Sequence, residues 1–480
     1  SISGIQFDRV GSVWADGVEL LRTTTPEPSG KKDDETSWRV ERDVTDYASV
    51  LLSSVIGTSN NNNNGLLRSA GYGEQETTRY AAVSIPNVVN SEYTGEIHVN
   101  VSLAIYTSKE EDGGYISSNS NNKPIAMNVN PNFADMFQQQ ASSEESQFDW
   151  DGTLAVTTNS VQNHTIQKKD LLHKLGHLPS LGRIHLDVHA SAHGDEEFYY
   201  SNLPTTCEDD DDSNDDNSTA TNNNNSSSSP SQLPPPSENG GSYNVSSCFR
   251  GGPLRFLQVT IDGQLAGAAV PFPTVYAGGI NPMLWRPLTG IESFDVLPHR
   301  FDVTPFGGMF WKVLRGNNPE HQMVIGLEVI TGEVSSSKMS HDGKWFLDGT
   351  LLFYPVDGRD GVQISSSAHA SVSTSVISPL NVSAEVVDGR HTVRLLEPYQ
   401  FSIISSPSSS SSSNDDTSLI NVTYHINSTA IITPGNQGDD ASALLSDAGH
   451  EVSYGNSRQT VTTTTHIKDI GWVARASPSG

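Results

Sequence analysis

Two short stretches, far apart in the chain, carry acidic side chains in settings where a carboxyl group could do chemistry. In the first, QFDRVGSVW (6–14), Asp8 and Arg9 follow an aromatic residue directly before an apolar strand. Neighbouring residues of a strand point to opposite faces, so these two side chains cannot simply pair with each other through the sheet. Because unpaired burial of a charge is costly, two interpretations stand. Asp8 either caps a turn or pairs with a distant arginine, or it faces a cleft and has a chemical role.

The second stretch, HGDEEFYYSN (193–202), places acids directly before aromatic rings. Desolvation beside such rings raises the pKa of a carboxyl group and lets it act as an acid near neutral pH or below, which suits sugar or amide chemistry. Glu196 and Glu197 are the candidates. The alternative interpretation is a polar turn entering a strand.

A row of histidines precedes these acids, because His185, His189 and His193 fall on one face of a strand together with Asp187. Imidazole and carboxylate are ordinary metal ligands. However, residues four apart on an extended strand lie roughly 13 Å from each other, too far to share an ion. We therefore predict no metal site and no cofactor.

A third candidate is GGINPMLWRPLTGIESFD (278–295), in which Gly-Gly and Asn-Pro indicate a turn that presents Trp285 and Arg286. Trp offers a flat face to a sugar ring and Arg a planar donor fork to carbonyl or hydroxyl groups. The alternative is a core Trp with Arg at its rim. The sequence has neither a nucleophile elbow nor a phosphate-binding glycine loop.

The elements that must position these residues are predicted to be β-strands. Apolar segments are short, rich in Val, Ile, Thr and Phe, and separated by Gly, Pro, Asn and Ser, while helix signals are nearly absent. Asp-Gly pairs predict hairpins within 12–21, 257–270 and 345–354. The segment 95–106 alternates apolar and polar residues, and it predicts a half-buried strand whose inner face carries Ile97, Val99, Val101, Leu103 and Ile105.

Charge and targeting signals narrow the function classes. The net charge of −28 makes nucleic-acid binding improbable, because that affinity depends on Lys and Arg. Protonation of the 15 histidines would offset about half of this charge, which favours an acidic setting.

No apolar run approaches the roughly 20 residues of a membrane span. No secretory leader precedes SISGIQ, so we expect a mature or trimmed chain. Sequons favour a secreted protein or one of an acidic endomembrane compartment, and we expect glycosylation at Asn100, Asn163, Asn244, Asn381, Asn421 and Asn427.

The two cysteines, Cys207 and Cys248, bracket a low-complexity insert (208–247) whose composition cannot pack a core. A disulfide closing this loop of about 40 residues would contribute roughly 4 kcal/mol. Two free thiols would instead fit an intracellular protein. Composition divides the chain into a first domain (1–150), a second (151–357) that contains the insert, and a β-rich C-terminal region (358–480).

Several motifs taken together resemble the acid peptide:N-glycanase family of plants and fungi, the PNGase A type. These motifs are FDRVGSVWADGVELLRTTTPEP, WRVERDVTDYASVL, YTGEIHVNVS, HGDEEFYYSN, GPLRFLQVTIDGQLAGAAVPF and GGINPMLWRPLTGIESFD. The resemblance implies an all-β fold with two side-by-side eight-stranded antiparallel jelly-roll sandwiches and a site in the groove between them. It also implies strands upstream of Ser1, so that the first jelly roll is incomplete here and a processed second chain could supply them.

By this resemblance Asp8 is the catalytic carboxylate and Glu197 the second one, with Glu196 its rival. The implied reaction hydrolyses the amide between the innermost N-acetylglucosamine of an N-glycoprotein or N-glycopeptide and its asparagine, at acidic pH. Two alternatives remain: a secreted glycan-binding or cell-surface β-sandwich protein without activity, or a glycosidase that uses the same carboxylates. The residues expected to bind substrate are Arg286, Trp285, Glu196, Arg9 and His193.

Overall fold

The fold is known here from a computed structural model, which describes part of the chain. The described residues are 1–26, 35–55, 81–85, 89–105, 124–130, 133, 154–176, 178, 181–197, 199, 253–271, 274, 294–331, 344–355, 364, 368–373, 380, 382–387, 390–406, 420–433, 454–467 and 473–476. The expected disulfide (Cys207, Cys248), the insert, Trp285 and Arg286, and the sequons at Asn244 and Asn381 lie outside them.

Antiparallel β-sheet dominates, which confirms the all-β prediction. The first part of the chain forms two small sheets. One contains β1 (Ile2–Ser3), β4 (Glu35–Thr36) and β6 (Glu96–Ile97), with β1 in the centre, and the other contains β2 (Val10–Ala15), β3 (Val18–Thr24) and β5 (Ala81–Ser84), with β2 in the centre.

Two larger sheets follow, and their inner faces contribute to one continuous hydrophobic core. The first has the order β13-β10-β15-β7, with β8 also paired to β15. Its strands are β7 (Ile125–Asn128), β8 (Ala155–Val156), β10 (Leu181–His193), β13 (His299–Asp302) and β15 (Lys344–Pro355). The second has the order β12-β11-β14-β9. Its strands are β9 (Val161–Gln167), β11 (Phe256–Ile261), β12 (Gln264–Ala269) and β14 (Gln322–Ile330).

The C-terminal region forms a further sheet of seven strands, with the order β16-β19-β20-β18-β17 and with β21 joining β20 to β22. The strands are β16 (His369–Val372), β17 (Val382–Val387), β18 (Arg390–Leu395), β19 (Tyr399–Ser406), β20 (Ile420–Thr433), β21 (Tyr454–Ile467) and β22 (Val473–Ala476). Phe401 and Tyr424 of this sheet stack with ring centroids 4.6 Å apart, and both belong to the core of the two larger sheets.

Helices are few but present, although almost no helix signal is visible in the sequence. The described residues contain α1 (Ala48–Val55), α2 (Lys168–Leu175) and α3 (Gly307–Arg315). Helix α2 begins with a capping box between Gln167 and Asp170. Helix α3 is stabilised by burial, because most of its side chains, including Phe310 and Leu314, lie in the core. Such short helices depend on tertiary packing, which is why sequence periodicity missed them.

Two of the three predicted Asp-Gly hairpins are confirmed and one is wrong. The pairs Asp16-Gly17 and Asp262-Gly263 have positive φ angles and connect adjacent antiparallel strands. The third pair, at residues 348–349, lies in the middle of β15, a single uninterrupted strand. There Asp348 is buried and lies opposite His189 of β10. Because β15 is paired with β10 on one side and with β7 on the other, it continues as a strand and does not turn.

The predicted strand over 95–106 is largely wrong. Of its described residues (95–105), only Glu96 and Ile97 are in a strand, which is β6. The remaining members of its predicted inner face are exposed rather than half-buried, because no described sheet covers them. They are Val99 (49% exposed), Val101 (53%), Leu103 (50%) and Ile105 (58%).

The division into domains stays a prediction, although one pairing bears on it: β7, before the predicted boundary at 150, is hydrogen-bonded to β15 far beyond it. Among the described residues, no helix is long and apolar enough to cross a membrane.

Candidate active site

Asp8 lies in an irregular segment between β1 and β2, not within a strand as the argument from alternating faces assumed. The segment is held in place by hydrogen bonds on both sides of Asp8. Gln6 is buried and its amide donates to the Gly95 carbonyl (3.2 Å). The Arg9 backbone N–H donates to the Thr25 hydroxyl (2.8 Å), and the Thr25 N–H donates back to the Arg9 carbonyl (2.8 Å). The half-buried Asp8 side chain is therefore carried by a fixed backbone.

Glu197 lies at the end of the longest strand of the larger sheets. Strand β10 ends at His193, and a single 3-10 turn (Gly194–Glu196) follows, entered through Gly194 at a φ of 59°. The Glu197 N–H donates to the Gly194 carbonyl (3.0 Å) and closes this turn. A left-handed φ favours glycine, so the turn depends on the residue type at 194. The half-buried carboxyl group of Glu197 is thus fixed relative to β10.

Asp8 and Glu197, separated by almost two hundred residues in sequence, interact electrostatically. Burial, and then the negative charge of Asp8, raise the pKa of Glu197 to about 8. At neutral or acidic pH Glu197 therefore holds a proton beside the carboxyl group of Asp8. Two carboxyl groups whose environments separate their proton affinities are a typical arrangement for an acid and a base.

Glu196 has a different environment from its neighbour. It is buried (2% exposed), and Arg255 donates to both of its oxygens, from Nε (2.6 Å) and from Nη2 (2.9 Å). The Trp345 indole N–H donates to it as well (2.9 Å). Arg255 is itself fully buried and donates to Thr331. Glu196 thus has its hydrogen-bonding capacity occupied by the protein, and it anchors the turn that carries Glu197.

His193 and Arg9 were both predicted to bind substrate. His193 Nε2 is 2.8 Å from the Ser191 hydroxyl, and its ring stacks on Phe346 with centroids 3.7 Å apart. Burial and the charge of Arg22 hold its pKa well below the usual range, so the ring is neutral. Arg9 donates to Gln6 (2.9 Å) beside Asp8. Desolvation lowers the pKa of Arg9, and the charge of Asp8 opposes this effect.

An aromatic pair beside Asp8 was missed by the sequence reasoning. The rings of Phe7 and Tyr93 lie 4.5 Å apart, and Phe7 is 44% exposed. The Arg9 guanidinium lies 5.2 Å from the centre of the Phe7 ring. An exposed aromatic face next to a carboxyl group is a surface on which a sugar ring can pack. The sequence does show an aromatic residue, Phe7, directly before Asp8. The second ring of the pair, Tyr93, lies far along the chain and could not be assigned to it from the sequence.

One group of side chains among the described residues has the composition and spacing to hold a metal ion, namely Glu19, His189 and Asp348. The row of three histidines does not form such a group, and its members extend along β10 as the strand spacing predicted. His189 instead meets carboxylates from two other strands, which a search for spacings within one strand could not find.

The described residues define a β-sheet protein in which two acidic side chains from separate segments interact electrostatically, one of them just beyond the end of a strand. Comparison with known proteins shows which family the chain resembles. The model described as "Peptide N-acetyl-beta-D-glucosaminyl asparaginase amidase A" matches residues 1–56 and 237–371. A protein from Prunus dulcis named "Peptide-N4-(N-acetyl-beta-glucosaminyl)asparagine amidase A" is 30% identical over 321 residues, which are 65% of this chain and 42% of that protein. No solved structure matches.

By these matches the chain is similar to the peptide:N-glycanase A family. It spans less than half of the length of the curated relative that it matches. Asp8, Trp285 and Arg286 fall within the segments matched by the family model, whereas Glu197 falls between them.

Proposed function

We propose that the protein hydrolyses the amide bond between the innermost N-acetylglucosamine of an N-glycan and its asparagine side chain, and that it does so at acidic pH. The Prunus dulcis relative is named for this reaction. The observation that carries the proposal is the electrostatic interaction of Asp8 with Glu197, whose pKa is raised to about 8 by burial and by the charge of Asp8. The substrate class is N-linked glycopeptides and glycoproteins.

The two carboxyl groups have complementary roles in this reaction. Asp8 accepts a proton from water as the water oxygen attacks the amide carbonyl carbon. Glu197, protonated over the acidic range, donates its proton to the nitrogen as the carbon–nitrogen bond breaks. The products are a peptide with aspartate in place of asparagine and a glycosylamine. The exposed Phe7 ring beside Asp8 packs against the sugar.

The remaining predicted residues complete the site in the same proposal. Arg286 polarises the amide carbonyl as negative charge develops on its oxygen, and Trp285 packs against the glycan. The architecture is that of two jelly rolls, with a first domain to about 150, a second to about 357 and a C-terminal sheet. A processed second chain could supply further strands to the first jelly roll.

We also propose that the protein is secreted or resides in an acidic endomembrane compartment, with Cys207 and Cys248 bridged. Two sequon asparagines, Asn100 and Asn163, have exposed side chains that are available for glycosylation. Asn421 is half-buried, and the side chain of Asn427 on β20 lies outside the described set.

Digestion of a defined glycopeptide, followed by mass spectrometry, tests the function. Amide hydrolysis converts the glycosylated asparagine to aspartate and releases the intact glycan. A glycosidase would leave sugar on asparagine, and a binding protein would leave the glycopeptide unchanged. Either of these last two products contradicts the proposal.

The Asp8→Asn variant tests the role of the first carboxyl group. Because it removes the proton acceptor but keeps the shape, we expect the rate of glycan release to fall by about 10²- to 10⁴-fold while glycopeptide binding persists. Asp262→Asn is the matched control, since Asp262 is an exposed turn residue. It should keep the wild-type rate, and a near-wild-type rate in Asp8→Asn would refute the assignment.

A further inference from the structure

A second group of buried titratable side chains, with no member in the Asp8–Glu197 pair, joins three strands. Glu19 of β3, His189 of β10 and Asp348 of β15 each offer one ligand atom, and these atoms all lie within 4.8 Å of one another. The three residues are 0%, 1% and 2% exposed. His189 and Asp348 are directly opposite each other in the antiparallel pairing of β10 with β15. The sheet register therefore brings the two together.

The bonding inside this group is incomplete. Within the described part of the chain, His189 Nε2 and Asp348 Oδ2 are buried and have no hydrogen-bond partner. Buried polar atoms in folded proteins are almost always bonded, so each unbonded atom calls for an unseen partner. The other oxygen of Asp348 accepts from the Asn128 amide (2.8 Å), which fixes the orientation of the carboxylate. His189 and Asp348 thus each carry one buried polar atom that no other described residue bonds.

The spacing fits ligands that share one cation. His189 Nδ1 lies 3.7 Å from Glu19 Oε2, which is too long for a hydrogen bond. Two ligands bound at about 2.0–2.2 Å to one tetrahedral ion lie roughly 3.3–3.6 Å apart. The distance between His189 Nδ1 and Glu19 Oε2 is therefore close to that expected between neighbours in a coordination shell.

The charges on and around Glu19 and Asp348 are also compatible with a bound cation. Arg22 donates to both oxygens of Glu19, from Nε (2.9 Å) and Nη2 (2.7 Å), and so balances one carboxylate. Among the described residues, Asp348 has no lysine, arginine or histidine at ion-pair distance, and the side chain that donates a hydrogen bond to it is the neutral amide of Asn128. A fully buried carboxylate needs a cation or a proton, because its desolvation is costly.

We propose that Glu19, His189 and Asp348 bind one divalent transition-metal ion, with zinc as the best match. One imidazole and two carboxylates form a nitrogen–oxygen set that suits zinc and its neighbours, whereas calcium and magnesium prefer oxygen ligands alone. Because all three residues are buried, the ion is structural. It ties the hairpin of β2 and β3 to the β10–β15 pair and takes no part in hydrolysis.

The first test is the metal content of the purified full-length chain. After loading with zinc and dialysis against metal-free buffer, elemental analysis should find about one zinc per chain. Removal of the zinc by a chelator should lower the melting temperature, and re-addition should restore it. Cobalt loaded in place of zinc should give a visible absorption band typical of low-coordinate nitrogen–oxygen ligation. A zinc content below about 0.1 per chain, with no change in melting temperature, would show that a water or a proton occupies the site.

The second test uses variants that keep side-chain shape. His189→Gln and Asp348→Asn should each lower the retained zinc by about tenfold and remove the cobalt band. His164→Gln is the matched control, because His164 is a buried histidine on β9 whose pKa is lowered by burial alone, with no charged group contributing. The acidic run EDDDDSNDD is common to all variants, so weak binding there cancels. Equal zinc retention in Asp348→Asn and wild type would overturn the assignment. None of these readouts depends on glycopeptide hydrolysis.

Discussion

At the scale of single residues, the notable contrast is between two adjacent glutamates. Glu196 is held by a bidentate arginine and an indole N–H inside the core. Within the described part of the chain, Glu197 has no such partner, and burial and the charge of Asp8 raise its pKa. Two adjacent residues at one tight turn thus have different roles: Glu196 anchors the turn, and Glu197 is the candidate acid.

The two glutamates should respond oppositely to the same substitution. Glu196→Gln leaves the buried Arg255 without a counter-charge, so we expect the free energy of unfolding to fall by about 3–5 kcal/mol. Glu197→Gln should leave stability nearly unchanged at acidic pH, because a protonated carboxyl group and an amide are both neutral. It should, however, lower glycan release by about 10²- to 10⁴-fold. Urea titration and the glycopeptide assay measure the two effects, and the reverse pattern would exchange the assigned roles.

The raised pKa of Glu197 also predicts how stability depends on pH. The unfolded chain releases this proton near pH 4.5, whereas the folded protein holds it to about pH 8. Between these values the folded state binds more protons, so the stability contributed by this group is complete below about 4.5 and is lost as the pH rises through 8.

We therefore expect the melting temperature of the wild type to fall more between about pH 5 and pH 8 than that of Glu197→Gln, which has no titrating group at 197. Calorimetry at several pH values measures this difference. Parallel curves for the two proteins would show that Glu197 titrates normally.

The sequence could predict the residue types at this site but not which role each residue has. Acids before aromatic rings marked both glutamates, and the aromatic residue before Asp8 marked that segment. Which glutamate meets Arg255 depends on strands distant in sequence, and no local pattern encodes it. The Glu19–His189–Asp348 group was missed for the same reason, since spacing within β10 excludes a shared ion while pairing across strands brings one carboxylate opposite His189.

At the scale of elements, the three Asp-Gly pairs show what a local turn signal can decide. Two of them turn, and their glycines have φ angles of 77° at Gly17 and 74° at Gly263. The third lies in a buried strand, where pairing with two neighbours outweighs the preference of the dipeptide. The sequence therefore predicted hairpins correctly at the edges and wrongly in the centre of a sheet.

Gly263 allows a direct test of the turn geometry. A methyl group added there meets no atom within 4 Å, so any cost of Gly263→Ala arises from the backbone. We expect a loss of about 1–2 kcal/mol, the cost of a left-handed conformation for alanine. Gly263→Asn should lose less, because asparagine tolerates this region. Chemical denaturation compares the two variants, and equal losses would contradict an origin in φ alone.

At the scale of the whole molecule, contacts between distant parts of the chain dominate the described structure. Arg22 of β3 is fully buried and donates to the Ser191 hydroxyl of β10 (3.0 Å) and to the Phe346 carbonyl of β15 (2.6 Å). Strand β7 pairs with β15 over four residue pairs. Asp8 and Glu197, which interact electrostatically, also come from distant parts of the chain. The candidate site is therefore a product of assembly rather than of any one segment.

The pairing of β7 with β15 has a consequence for how the protein is made. Strand β7 leaves the ribosome more than two hundred residues before its partner has been translated. During that interval its edge, and the cationic Arg22 before it, lack their final neighbours. Early folding intermediates should therefore expose sheet edges to which chaperones can bind. Nascent chains truncated before residue 344 should be prone to aggregate, because β7 then lacks its partner strand.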